Sequence, residues 1–225
     1  MRPRIGITTS YNDGKQSVDH TYIQAITDAG GLPIIVPMLT DPAAANAFAA
    51  LLDGLVITGG PGITRGLVGD LPDDLPPVDP VRDTSDDLIY SAFADDPRPV
   101  LGICYGMQFI NAQHGGKIYG DLSQHVETGI QHSSTRGGTE HPVLLRLDST
   151  LGRVLDVSEL TVNTYHTQSL ASLGDGLLIT ATSPDGVIEG IESKDGRYIG
   201  VQFHPERMTD VTAPLFADFV TRCRT

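Results

Sequence analysis

The chain has no tryptophan, two cysteines, few basic residues and no long apolar run, and each shortage removes a class of protein. Cys104 and Cys223 are too few for a disulfide framework. No stretch approaches the roughly 18 apolar residues that a membrane-crossing helix needs. The opening Met1-Arg2-Pro3-Arg4-Ile5-Gly6 does not lead into the apolar segment of a secretory signal. With 15 Lys plus Arg against 28 Asp plus Glu, the formal net charge is -13. Such a chain repels phosphate backbones and anionic lipid surfaces at long range. The expectation is a cytoplasmic protein with neither a nucleic-acid nor a membrane partner.

What is present is the composition of a folded chain rich in tight turns, 40% apolar and 19% charged, with 25 Gly and 15 Pro in 225 residues. That length allows one large domain or two small ones. In the first half, short apolar runs at Arg4 to Thr8, Leu32 to Val36, Leu55 to Thr58 and Val100 to Ile103 alternate with amphipathic stretches, the pattern of βα units feeding a parallel sheet. Helices are predicted from Tyr22 to Ala29, ending at Gly30-Gly31; from Asp41-Pro42 to Leu52; from a cap at Thr84 or Ser85 to Ala94; and from Met107 to His114. Beyond about His125, strands at Val143 to Leu147, Leu177 to Thr182, Val187 to Glu192 and Tyr198 to Phe203 follow closely, with turns at Pro184-Asp185-Gly186 and Lys194-Asp195-Gly196. These predict antiparallel hairpins added to the parallel sheet, with a last helix from Ala213 to Arg222. The segment from Gly59 to Asp83 has little periodicity, and loops of that length commonly cover active sites.

Gly102-Ile103-Cys104-Tyr105-Gly106 stands between an apolar strand and a helical stretch, the form of a strand-to-helix elbow with Cys as nucleophile. An elbow strains the backbone at the nucleophile and sets the thiol at a helix N-terminus, which favours thiolate. Among seven histidines, His204 is placed best as its base, because it follows the strand Val201-Gln202-Phe203 and precedes Pro205-Glu206. Residues two apart on a strand face the same way, so Glu206 is positioned to orient the ring, completing a Cys104-His204-Glu206 triad. Gly59-Gly60-Pro61-Gly62 emerges at the same carboxyl edge of the sheet, and the Gly60 and Tyr105 N–H groups are the candidate oxyanion hole. His125, His132 and His141 lie in a loop-rich region without standard ligand spacing, so neither a metal nor a cofactor is expected. Cys223 reads as a peripheral thiol.

Together these residues resemble the class I glutamine amidotransferase-like superfamily, and within it the γ-glutamyl-γ-aminobutyrate hydrolase family, the C26 cysteine peptidases. The shared elements are Gly59-Gly60-Pro61-Gly62, Gly102-Ile103-Cys104-Tyr105-Gly106-Met107-Gln108 and Gly200-Val201-Gln202-Phe203-His204-Pro205-Glu206. The hydrolase branch is marked by Tyr22 with Ala29-Gly30-Gly31-Leu32-Pro33, the Asp79 to Asp83 stretch, Val162-Asn163-Thr164-Tyr165-His166-Thr167-Gln168, and Asp185-Gly186-Val187-Ile188-Glu189.

The resemblance spans nearly the whole chain and selects one domain over residues 1–225: an α/β, flavodoxin-like three-layer fold with a mostly parallel central sheet flanked by helices and extended by antiparallel strands. It implies hydrolysis of a γ-glutamyl amide through a γ-glutamyl thioester. It also implies substrate contacts from Gln108, Tyr165 and His166, with Arg82 ranked above Arg65 and Arg136 as the cation near the glutamyl group. Two features, Pro61-Gly62 after the paired glycines and Tyr105 after the cysteine, stand closer to true amidotransferases. A glutaminase subunit serving a separate synthase is therefore the alternative, a homodimer is open, and a catalytically silent regulatory protein on this fold is the third reading.

Overall fold

The computed structural model describes residues 1–94, 96–127 and 129–224. The first half contains β1 (Arg4–Ile7), β2 (Ser10–Asn12), β3 (Lys15–Ser17), α1 (His20–Asp28), β4 (Leu32–Ile35), α2 (Pro42–Ala49) and β5 (Gly54–Ile57). There follow β6 (Leu67–Val68), α3 (Pro80–Ser91), β7 (Val100–Ile103), α4 (Tyr105–Gln113) and β8 (Lys117–Tyr119). The second half adds β9 (Glu140–Leu145), α5 (Thr150–Leu155), β10 (Glu159–Asn163), β11 (Ser169–Ser172), β12 (Leu177–Thr182), β13 (Ile188–Ser193), β14 (Tyr198–Val201) and α6 (Thr209–Arg222).

One sheet of nine strands takes members from both halves, in the order β10-β9-β12-β13-β14-β7-β5-β1-β4. The five strands from β14 to β4 are parallel and the other four run antiparallel. The parallel strands are buried on both faces, which is why they read as continuous apolar runs. Side chains alternate across the sheet. Leu55 and Ile57 join a core with Phe93, Phe109 and Ile110 on one face, while Val56, Leu101 and Ile103 join Tyr22, Leu215 and Phe219 on the other. The result is three layers, with α2, α3 and α4 on one side and α1 and α6 on the other.

Boundaries differ from the sequence expectation where proline was read as loop. Helix α3 starts four residues before Thr84, because Asp79 caps it by accepting from the Val81 N–H at 2.8 Å and Pro80 occupies its first turn. Asp41-Pro42 does the same for α2, with Asp41 accepting from Ala44 at 2.8 Å. Helix α4 begins at Tyr105 rather than Met107, and α6 at Thr209 with Pro214 inside it. The Gly59 to Asp83 segment also carries β6, which joins β8 and β11 in a small second sheet. The β2–β3 hairpin was signalled by Asp13-Gly14 but not anticipated; both residues adopt positive φ, 50° and 75°, as a two-residue hairpin turn requires.

Candidate active site

The carboxyl ends of the parallel strands bring the three motifs together. Strand β7 ends at Ile103, and α4 begins one residue after Cys104, which takes φ 53° and ψ −105°. A positive φ at a residue with a side chain is strained, and tertiary packing holds it here. The Cys104 N–H donates to Val201 O at 2.8 Å, tying the elbow to β14. The flanking glycines are needed for close approach: a Cβ on Gly106 would lie 2.1 Å from Ile57 O, and one on Gly102 2.5 Å from Gly106 O.

His204 follows β14, and its Nδ1 lies 2.7 Å from Glu206 Oε1 and 3.4 Å from the Tyr22 hydroxyl. Glu206 is fully buried. With Nδ1 engaged by Glu206, Nε2 is the nitrogen left to face Cys104. Burial pushes the imidazole pKa down, but hydrogen bonds and charge from Cys104 and Glu206 raise it to about 10. The His204 ring is therefore held as the imidazolium at neutral pH. The backbone of His204 is clamped by Asn163, whose Oδ1 accepts from His204 N at 2.9 Å and whose Nδ2 donates to His204 O at 2.8 Å. Tyr22, on α1, accepts from Gly59 N at 3.0 Å and so joins the glycine loop to the histidine. Its own phenol is pushed well up by burial and the nearby Glu206 charge, and stays neutral.

The Gly60 and Tyr105 N–H groups donate to no acceptor among the described residues. Arg82 is corrected as a substrate contact. It has no exposed surface; it pairs with Asp86 at 3.1 Å and donates to Thr58 O and Gly59 O at 3.1 and 3.0 Å. Its guanidinium also lies 4.4 Å from the Tyr105 ring centroid. Arg82 therefore braces both loops from beneath, and a Cβ on Gly60 would meet its Nη1 at 2.3 Å. Arg65 is engaged by Asp87, and Arg136 by Asp74 and Asp121.

A cleft of about 230 Å³ opens beside Gly59, Gly60, Tyr22 and His204, and Arg207 lines it. Arg207 is 40% exposed and is shared between Asp19 at 3.0 Å and Glu206 at 3.6 Å. Tyr165 is edge-on to His204 with centroids 5.5 Å apart, and the Arg207 guanidinium lies 5.1 Å from its ring centroid. Gln108 is buried, and its Nε2 donates to Gln202 Oε1 at 3.1 Å, while Gln202 Nε2 reaches Cys104 Sγ at 3.5 Å. It thus reaches Cys104 through Gln202.

His166 is buried. It turns inward to His132, His141 and Glu189, so the histidines that looked scattered converge in space, while His125 stacks on Tyr119 elsewhere. Cys223 is likewise buried, not peripheral, and burial pushes its thiol up to about 12.

The sequence model of the Peptidase C26 family matches residues 3–206. The chain belongs to the Peptidase C26 family. Protein NtpR of Enterococcus hirae is 36% identical to it over 191 residues, covering 82% of this chain and 79% of that protein. The γ-glutamyl-γ-aminobutyrate hydrolase PuuD of Escherichia coli is 29% identical, covering 99% and 94%. The glutaminase domain of Trypanosoma brucei CTPS, solved with acivicin bound, superposes with a TM-score of 0.68 at 14% identity and covers 99% of this C26 chain and 94% of that domain. That last likeness concerns the fold alone.

Three contributors escaped sequence reasoning. Gln202 was legible, since it shares the β14 motif with His204. Arg207 directly follows Glu206, but nothing local marks it as facing a cleft. Asn163 lay in a quoted motif, yet its partner is 41 residues away.

Proposed function

We propose that this C26 chain is a cysteine-dependent hydrolase of a small γ-glutamyl amide, with Cys104 as nucleophile, His204 as acid and base, and Glu206 as the orienting carboxylate. The observation that carries the reading is the strained Cys104 elbow facing a His204 held by Glu206 at 2.7 Å and raised to about 10.

Cys104 Sγ attacks the γ-amide carbon, and the Gly60 and Tyr105 N–H groups receive the developing oxyanion, each donor contributing roughly 2.7 to 4 kcal/mol. His204 Nε2–H then protonates the leaving amine, and the C–N bond breaks to leave a γ-glutamyl thioester. The amine departs, and water, deprotonated by His204, attacks the thioester and releases glutamate. Tyr165 packs against His204 and Arg207; Arg207 is the cation that the cleft offers to an anionic glutamyl carboxylate, a short-range attraction needed in a chain of net charge -13.

A panel of γ-glutamyl amines and glutamine, assayed for released glutamate, tests this. Turnover of γ-glutamyl amines by the isolated chain, abolished in Cys104→Ala, is the expected result; activity retained in that variant refutes the mechanism. The second reading, a glutaminase subunit feeding ammonia to another chain, is favoured by Tyr105 and Pro61-Gly62. It predicts activity confined to glutamine and raised by a partner protein.

A further inference from the structure

His132, His141, His166 and Glu189 are buried together, and one ligand atom from each lies within 4.8 Å of the others. They come from separate places: the loop before residues 134–136, the inward face of β9, the turn after β10, and β13. Glu189 Oε1 sits among three ring nitrogens, 3.1 Å from His141 Nε2 and 3.4 Å from both His132 Nδ1 and His166 Nε2. The two longer contacts lack hydrogen-bond alignment, and the second carboxylate oxygen, Glu189 Oε2, is buried without a partner among the described residues.

The outer nitrogens of His166 and His132 explain the misfit, while His141 Nδ1 is buried without a partner among the described residues. His166 Nδ1 lies 3.0 Å from Gln168 O, which only accepts, so that nitrogen carries a hydrogen. His132 Nε2 donates to Asp185 Oδ2 at 3.0 Å. A neutral ring protonated on its outer nitrogen aims an inner lone pair at the carboxylate. Two such lone pairs converging on an acceptor oxygen repel unless a cation lies between them. An outer N–H held by a carboxylate or carbonyl is the arrangement that fixes the tautomer of metal-binding histidines.

Bonds of about 2.0 to 2.1 Å from a tetrahedral zinc-class ion place neighbouring ligand atoms roughly 3.3 Å apart. The three contacts to Oε1, at 3.1 to 3.4 Å, match that spacing. We propose that His132 Nδ1, His141 Nε2, His166 Nε2 and the Glu189 carboxylate are the ligands of a buried divalent metal ion of the zinc class. Three neutral imidazoles, Glu189 and the outer Asp185 carboxylate balance its double positive charge. A cavity of about 30 Å³ lined by Asp121, Arg136, His132 and His166 reaches the cluster and is its route of entry.

Four protein ligands leave no open position, so the site is structural. It staples β9 and β13 to the turn that carries Tyr165 and follows Asn163, the two residues that hold His204. The inference does not depend on the hydrolase reading.

The experiment uses the full chain without an affinity tag, stripped with a chelator and titrated with Co²⁺ and then Zn²⁺. One Co²⁺ per chain is expected, with the visible bands of four-coordinate cobalt on nitrogen and oxygen ligands, displaced by Zn²⁺. The signal persists in Cys104→Ser and disappears in His141→Gln. Asp185→Asn, which touches no ligand atom, weakens binding by about 10- to 100-fold. Failure of the wild-type chain to take up either ion stoichiometrically overturns the proposal and leaves a cluster of imidazolium and carboxylate. Uptake that vanishes in Cys104→Ser and survives in His141→Gln overturns it equally, by placing the ion at the nucleophile.

Discussion

Replacing Glu206 by Gln preserves the shape of the triad and removes its charge. His204 rises from an ordinary 6.5 to about 10, a stabilisation of the imidazolium by about 5 kcal/mol. Cys104 and Glu206 share that gain after burial is overcome. Two unit charges 2.7 Å apart attract by about 6 kcal/mol at an effective dielectric constant near 20, and the desolvation of a buried Glu206 offsets much of it. A net loss of about 2 kcal/mol in the imidazolium follows, which moves the alkaline limb of the pH profile down from near 10 by roughly one to two pH units. The amide also leaves the ring free to take the wrong tautomer, a change that costs about 10⁴-fold in a serine-protease triad. We expect kcat to fall by about 10²- to 10⁴-fold. Because the folded His204 value exceeds the unfolded one, its ion pair stabilises the fold fully below about pH 6.5 and that contribution is lost as pH rises through about 10. Steady-state release of glutamate from pH 5 to 11, with urea melts at the same values, reads both effects. A variant with wild-type kcat and an unmoved alkaline limb would refute the role given to Glu206.

Substitutions at three other positions probe the architecture. Gly normally destabilises the middle of a helix or strand relative to Ala, but at the positive φ of Cys104 the order reverses: Cys104→Gly should be more stable than Cys104→Ala by about 1 kcal/mol, and equal or inverted urea midpoints would remove the strain argument. Arg82→Met leaves Asp86, already raised to about 6 by burial against the pull of Arg82, without its partner; a loss of about 3 to 5 kcal/mol in denaturant titration is expected, and a loss below about 1 kcal/mol would contradict the bracing role. Asn163→Ala removes two hydrogen bonds to the His204 backbone, together worth about 1 to 3 kcal/mol. Its kcat should drop by about 10- to 100-fold with KM unchanged, whereas a change confined to KM would place Asn163 in substrate binding instead.

The parallel strands were legible because two-sided burial writes itself as unbroken apolar runs, and the elbow because only glycine permits the close approaches at residues 102 and 106. His204 and Glu206 were read as a pair from strand periodicity, but β14 ends at Val201 and Glu206 lies in a 3-10 turn over Pro205–Arg207, so that turn, and not strand alternation, brings the two side chains together. Helix α3 was missed at its start although Asp79-Pro80 carries the same cap signal as Asp41-Pro42; the surrounding proline and aspartate drew the reading toward loop.

Local pattern determined the main parallel strands with the helices between them, the candidate nucleophile and the spacing of its candidate acid–base partner, because those depend on backbone sterics and on contacts between residues a few positions apart. The tertiary structure decided what each distant side chain does. Arg82, ranked first as the cation near the glutamyl group, became a buried brace once α3 packed beneath the glycine loop. His132, His141 and His166, apart in the chain, met around Glu189 because β9, β13 and the turn after β10 lie side by side. Such convergence is a property of strand pairing across tens of residues, and no window of sequence contains it.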